Sequence, residues 1–350
     1  MAEMFYIGTY TNTEANSRGI YSALFNPETG AFSELAVAAE SANPSFLARH
    51  PSKPFLYAVN ELTEGSVSSY RIDRSGLKLL GVSSTRGADP CHVLIDCSGT
   101  WLLAANYNGG SVVVMPILSD GRAGDALVTP QNGSGPSPRQ QGSHPHQIIE
   151  MPGQIILVPD LGADRIVRYR LNLGDGVLSP ANPPDICVPA GAGPRHLVPS
   201  ADGRSLYLLN ELANTVTVLA ERASGEAWDC LQTLSLLAPD FQGYTIAAEI
   251  ALHPNGRFLY ASNRGADDIV TFSIDPATRK LTRIGAVPTA PNPRCFTIEP
   301  SGKWLLAASQ SSDTISVFAI DPRTGQLKAE PNPLSAPAPV FIGIFGSPNG

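Results

Sequence analysis

No run of 18 apolar residues occurs anywhere in this chain, so no single segment suits a membrane-spanning helix. There is no C-x-x-C pair, and the five cysteines (Cys91, Cys97, Cys187, Cys230, Cys295) are odd in number, which argues against a disulfide framework and against a zinc knuckle. The opening Met-Ala-Glu-Met-Phe-Tyr lacks the basic and apolar stretches of a secretory leader. Charged residues make up only 16% of the chain, too few for a disordered segment or a coiled coil. A formal net charge of −7 supplies no basic footprint for nucleic acid or for an anionic membrane surface. These absences describe a soluble protein of a reducing compartment, expected to be cytoplasmic, with neither nucleic acid nor membrane as partner.

The chain is rich instead in turn residues, with 32 glycines and 31 prolines among 350 residues. They punctuate a repeat. The strand-like segments Phe55–Asn60, Trp101–Asn106, Ile155–Asp160, Ser205–Asn210, Phe258–Asn263 and Trp304–Ser309 share one pattern, and Phe5–Tyr10 opens the chain with a seventh copy. Successive copies are 46 to 54 residues apart, and seven such units account for the whole chain. Each copy follows a turn such as His50-Pro-Ser-Lys53 or His253-Pro-Asn-Gly256, and the turn follows a short segment usually led by proline (Pro44, Pro90, Pro145, Pro194, Pro293). An alternating strand comes next, as in Asp268–Ile274, and then a further turn and a fourth strand. Four antiparallel strands repeated seven times predict an all-β, seven-bladed β-propeller as one domain over 1–350. The first unit lacks a proline-led strand, and 337–345 supplies one, so the closing blade is expected from 5–40 plus 337–345. A β-sandwich is the weaker alternative because it does not demand equal spacing.

Strand order then places residues. The innermost strand begins where the second one ends, so two rings of side chains are expected at one mouth of the propeller channel. The first ring follows the leading prolines: Ser45, Cys91, His146, Arg195, Ala248, Arg294 and Val340. The second follows the repeated strand: Thr11, Glu61, Tyr107, Leu161, Glu211, Arg264 and Gln310. The Gly-, Ser- and Pro-rich stretch from Thr129 to His144 opens on the same face and adds Arg139 and His144, and Glu249 follows on an inner strand. Arginines in a concavity suit a phosphate or carboxylate, and they suit the oxyanion formed when water attacks a carbonyl. A carboxylate or imidazole beside them suits the activation of water.

Each of these residues has a structural reading too. The arginines also read as a ring of ion pairs with Glu61, Glu211 and Glu249, His146 as a donor to a backbone carbonyl, Cys91 as packing, and the repeated Asn60, Asn106, Asn210 and Asn263 as turn chemistry. His50 and His253 sit in outer turns and read as structural. No G-x-S-x-G, H-E-x-x-H or P-loop motif is present, and Gly191–His196 opens a strand, unlike a dinucleotide fingerprint. No metal or cofactor is expected.

One family matches these motifs together. The chain resembles the seven-bladed propeller lactonases, whose members include propeller-type 6-phosphogluconolactonases and the related carboxy-muconate lactonizing enzymes. The matching pieces are Tyr6–Tyr10, Arg18–Tyr21, Asn106–Val112, Gly133–Pro136, Arg139-Gln140, His144–His146, Gly193–His196, Leu209–Leu212, Ala247–Ile250, Tyr260–Arg264 and Asn292–Phe296. The resemblance covers all seven repeats. It implies a metal-independent lactone hydrolase with His146, Glu211, Arg195 and Arg264 as catalytic residues. Arg294, Arg139, His144, Glu61, Tyr107 and Glu249 are expected to bind an anionic lactone, with Glu211 or His146 activating water. The resemblance leaves open a different acidic lactone such as a carboxy-muconolactone, and the rim leaves open a non-catalytic binding module. A closed propeller needs no partner strand, so a monomer is expected.

Overall fold

The computed structural model describes residues 2–73, 76–222 and 227–346; Met1 and 347–350 of the expected 1–350 domain lie outside the described residues. Among the described residues there are seven antiparallel sheets, each with at least four strands, and almost no helix beyond the single turn Gln310–Ser312. The fold is a seven-bladed β-propeller. The chain parts into two compact units, one of 38–195 and one of 1–37 with 196–350.

The unit of 38–195 holds three sheets. Their second strands, Phe55–Asn60, Trp101–Asn106 and Ile155–Asp160, have the bounds that the repeat predicts. They are buried almost throughout rather than on alternate residues, because each sheet is covered on both faces. Alternate residues therefore enter opposite cores. Leu102 and Ala104 pack with Phe55, Tyr57 and Val59, whereas Trp101, Leu103 and Ala105 pack with Ile156 and Val158. The outer strands Gly76–Ser84 and Leu127–Pro130 are much more exposed.

The unit of 1–37 and 196–350 repeats this pattern in the second strands Ser205–Asn210, Phe258–Arg264 and Trp304–Ser309. It also holds the closing sheet, in which Glu3–Thr9 lies between Gly19–Asn26 and the C-terminal strand Pro339–Ile344. Phe5 pairs with Ile344 and Ile7 with Ile342, so the N- and C-terminal segments complete one sheet as expected.

The same inter-sheet staples recur in both units. Tyr57 Oη donates to the Gly121 carbonyl (2.9 Å), and Tyr260 Oη donates to the Gly325 carbonyl (2.7 Å). Trp101 Nε1 donates to the Leu173 carbonyl (3.0 Å), and Trp304 Nε1 donates to the Pro27 carbonyl (2.8 Å). Burial pushes both tyrosine phenols well above their ordinary pKa. Gly121 and Gly325 have positive φ, and a Cβ on either would meet a phenylalanine ring at 2.4 Å, so glycine is required at these turns. His50 and His253 prove structural: Nε2 of each donates to a glycine carbonyl, Gly99 (3.0 Å) and Gly302 (2.9 Å), while Nδ1 accepts backbone N–H groups of its own turn. Burial lowers the pKa of His50, consistent with a ring that serves as donor and acceptor at once.

Candidate active site

In the unit of 38–195, the long stretch expected to lack strand structure begins later than its composition suggests, because Thr129 and Pro130 end the strand Leu127–Pro130. The loop that follows is held by two carboxylates. Asp160 accepts from Ser143 Oγ (2.6 Å), His144 N (2.7 Å) and Gly162 N (3.1 Å). Asp164 accepts from Gln140 Nε2 (2.8 Å) and from the N–H groups of Gly191 (2.7 Å) and Gly193 (2.9 Å). Burial holds the Asp160 carboxyl above its ordinary pKa, against the pull of those hydrogen bonds. A Cβ on Gly162 would meet the Gly142 carbonyl oxygen at 1.8 Å, so glycine alone permits this approach.

Tyr107 is the centre of the resulting cluster. Its ring stacks on His144 (4.5 Å between centroids, 21°) and meets His146 edge-on (5.5 Å, 77°). Its hydroxyl accepts from Arg139 Nη2 (2.9 Å), and its carbonyl accepts from His144 Nδ1 (2.9 Å). A carbonyl can only accept, so His144 Nδ1 carries a proton and Nε2 is the nitrogen left for chemistry when the ring is neutral. His146 is buried, but it does not lie in a strand as expected. The continuous third inner strand is Ile149–Met151; His146 lies just before it, next to an antiparallel bridge of Pro145 with Asp160, and its N–H donates to the Pro159 carbonyl (2.9 Å). Cys91 is buried, with its thiol 3.4 Å from the His146 carbonyl, in keeping with packing. Glu61 is half-buried and follows the strand Phe55–Asn60; its N–H bonds the Asn43 carbonyl (3.0 Å). Arg195, in the strand Pro194–Pro199, is only 3% exposed, and the Asp164 bridge to Gly191 and Gly193 shapes the turn before it.

In the unit of 1–37 and 196–350, Arg264 is the last residue of its strand, and its Nη2 lies 2.9 Å from Glu211 Oε2 and donates to the Ala247 carbonyl (3.1 Å). Both side chains are at least nine-tenths buried, which strengthens their attraction and makes each depend on the other. A β-bulge places Glu249. Ala247 pairs with Asn263 and Ile250 with Ala261, so Ala248 and Glu249 together oppose Ser262. The bulge turns the Glu249 carboxylate to accept from Ile250 N (3.0 Å) and from His196 Nδ1 (2.7 Å). Arg294 lies over the Tyr10 ring (5.2 Å) and donates from Nη2 to its hydroxyl (2.8 Å), which fixes the plane of the guanidinium.

The ion-pair reading thus holds for Arg264 with Glu211. Arg294 is seated on an aromatic ring, and Glu249 holds a histidine. The sequence argument did not single out His196 or Tyr10. His196 directly follows Arg195 and so faces the other side of its strand, and nothing local pairs it with Glu249, 53 positions away. What these groups offer is a polarising guanidinium on a buried carboxylate, an imidazole oriented by a second carboxylate, and a second set of histidines ordered by a tyrosine.

The sequence profile of the seven-bladed β-propeller lactonases matches residues 4–344. The chain belongs to that lactonase family. Among curated relatives, it is 32% identical to the 6-phosphogluconolactonase of Bacillus subtilis (strain 168), over 84% of each chain. It is 37% identical to that of Pectobacterium carotovorum (strain PC1), over 71% of this chain and 72% of the relative. Among solved structures it is similar to a periplasmic gluconolactonase of Pseudomonas aeruginosa, with a TM-score of 0.92 and 34% identity over 98% of this chain and 99% of the other. A second lactonase-family likeness is to a 6-phosphogluconolactonase candidate of Bacteroides fragilis, with a TM-score of 0.91 and 35% identity over 98% of both chains. The motifs that carried the resemblance, from Tyr6 to Phe296, lie within the matched range.

Proposed function

We propose that this lactonase hydrolyses 6-phospho-glucono-1,5-lactone to 6-phosphogluconate without a metal. The observation that carries this reading is the buried Arg264–Glu211 pair in a chain whose relatives are named for that lactone. Water adds to the C1 carbonyl, and the C1–O5 ring bond breaks. The ring oxygen takes a proton, and the new carboxyl releases one at neutral pH. Arg264, held by Glu211 and the Ala247 carbonyl, polarises the lactone carbonyl and meets the developing oxyanion without having to reorganise. Arg294, fixed on Tyr10, is the phosphate ligand in this unit. Arg195 and Arg139 are further anion ligands, and Glu61, Glu249, His144 and Tyr107 support binding. Glu211 or His146 takes the proton from water. An acid limb of kcat/KM near pH 6 to 7 would assign the imidazole, and one near pH 4 to 5 the carboxylate.

The deciding experiment follows freshly generated 6-phosphogluconolactone against its spontaneous hydrolysis, with EDTA present, beside unphosphorylated gluconolactone. Rapid, EDTA-resistant turnover of the phosphorylated substrate is expected. No acceleration of it would sink the reading. The likeness to a periplasmic gluconolactonase supports one second reading, a preference for the unphosphorylated lactone, and the same assay separates the two. A phosphorylated substrate supports a cytoplasmic location, since a sugar phosphate's charge keeps it from crossing a membrane unaided. The chain acts as a monomer in one domain, because the closing sheet leaves no strand for a partner to supply; size-exclusion chromatography with light scattering tests this.

A further inference from the structure

In the unit of 1–37 and 196–350, Arg264 also forms one wall of an open cleft of about 360 Å³ that lies beside the catalytic pair. Its apolar wall is Tyr244, Ile246 and Pro291, and its polar wall is Asp267, Asn292 and Ser311. Tyr244 stands 75% exposed at the edge. Gly265 sets its position: a Cβ there would meet the Tyr244 carbonyl oxygen at 2.3 Å, and φ is +105°. The polar wall is rigid, since one Asp267 oxygen, Oδ1, accepts from both Gly265 N (3.0 Å) and Asn292 N (2.8 Å). The Asn292 amide is only half used. One end bonds Ser311 Oγ (2.9 Å), and the other end is buried with no hydrogen-bond partner among the described residues. The amide nitrogen, bonded to Ser311 Oγ through one hydrogen, keeps a second hydrogen for a ligand hydroxyl.

We propose that this cleft binds the neutral polyhydroxylated part of the substrate, and that Tyr244, Asp267 and Asn292 select sugar lactones over lactones without hydroxyls. The inference rests on the lactonase reading above and deepens it. A carboxylate accepts hydroxyl hydrogens, an amide N–H donates to hydroxyl oxygens, Ser311 completes the polar wall, and an aromatic ring packs on the C–H face of a sugar. The Asp267 carboxylate repels a phosphate, so the anionic end of the substrate lies with the arginines and the hydroxyls lie here. A muconolactone, which offers carboxylates in place of a polyol, gains nothing from this wall.

The test uses the full chain and the variants Tyr244→Ala and Asp267→Asn; the second keeps an oxygen for the two turn N–H groups. The readout is the ratio of kcat/KM for glucono-1,5-lactone to that for δ-valerolactone, which has the same ring without hydroxyls. That ratio is expected to fall at least about tenfold in each variant, as when a site built for hydroxyls loses its partners. An unchanged ratio in both variants overturns the proposal. Tyr244 is exposed, so its variant keeps the test decisive even where Asp267→Asn fails to fold. Calorimetric titration with glucitol, a neutral polyol, needs no turnover. Binding by the wild type that weakens at least about tenfold in Tyr244→Ala supports the cleft, and absence of binding by the wild type overturns it. Absent lactonase activity sinks the functional reading, while the titration still decides the cleft.

Discussion

The two units order their basic side chains by different means. In the unit of 1–37 and 196–350, carboxylates order two of them: Glu211 grips Arg264 and Glu249 grips His196, with all four side chains largely buried, while Tyr10 seats Arg294. In the unit of 38–195, the aromatic ring, hydroxyl and carbonyl of Tyr107 do much of it, and the carboxylate of Asp160 acts one step away, on the backbone of the loop that carries His144. A buried ion pair fixes position firmly, but each member depends on the other. Loss of one leaves an uncompensated charge out of water. A stacked ring and a neutral hydrogen bond hold less tightly, and loss of one contact is shared among the rest. The first unit is therefore the more fragile to substitution at its basic groups, and the second the more tolerant.

The largest effect is expected from Glu211→Ala, which removes a buried carboxylate from the Arg264 guanidinium. It should cost about 3–5 kcal/mol in chemical denaturation and lower kcat/KM at least tenfold. A loss below about 1 kcal/mol would show that the pair is not what holds this region. Asp160→Ala comes next, because Ser143, His144 and Gly162 all lose an acceptor; a loss of about 2–3 kcal/mol should appear in the same measurement.

Asp160→Asn sharpens that result through pH. The folded chain holds the Asp160 proton more tightly than the unfolded chain, whose value is 3.8. Its contribution is therefore fully present below pH 3.8 and is lost as pH rises through the higher folded value. The stability of Asp160→Asn relative to wild type should increase over that rise, and unfolding curves from pH 3 to 7 that run parallel would contradict it. Tyr107→Phe should cost only about 1 kcal/mol in stability, since the stack remains and one hydrogen bond to Arg139 goes. Its kcat/KM is expected to fall less than that of Glu211→Ala, and the opposite order would reverse the contrast between the units. The smallest effect is set by Arg222→Ala. That residue pairs with Asp229 in open solvent, and no shift in Tm is expected.

The fold was legible because a seven-fold repeat restates the same evidence. The second strands fall within a residue or so of the pattern, since an apolar hexapeptide between a turn and an asparagine leaves little latitude. The closing sheet was legible from a missing strand at one end and a surplus one at the other. Arg264, Glu211 and Arg294 drew notice in the sequence because unrepeated charges stand out in a repeated frame.

What strand order alone determined is which residues begin or end a strand, and hence which end of each sheet carries the charges. What only the tertiary structure decided is which side chain meets which. His196 found Glu249 through a bulge that shifts the register by one residue, and Arg294 found Tyr10 from 284 positions away. His146 meets Tyr107 edge-on across the gap between an isolated bridge at Pro145 and the strand Ile149–Met151. Periodicity is a local property that the chain repeats. A hydrogen bond between distant side chains depends on register, bulges and loop closure, which exist only once the sheets have packed.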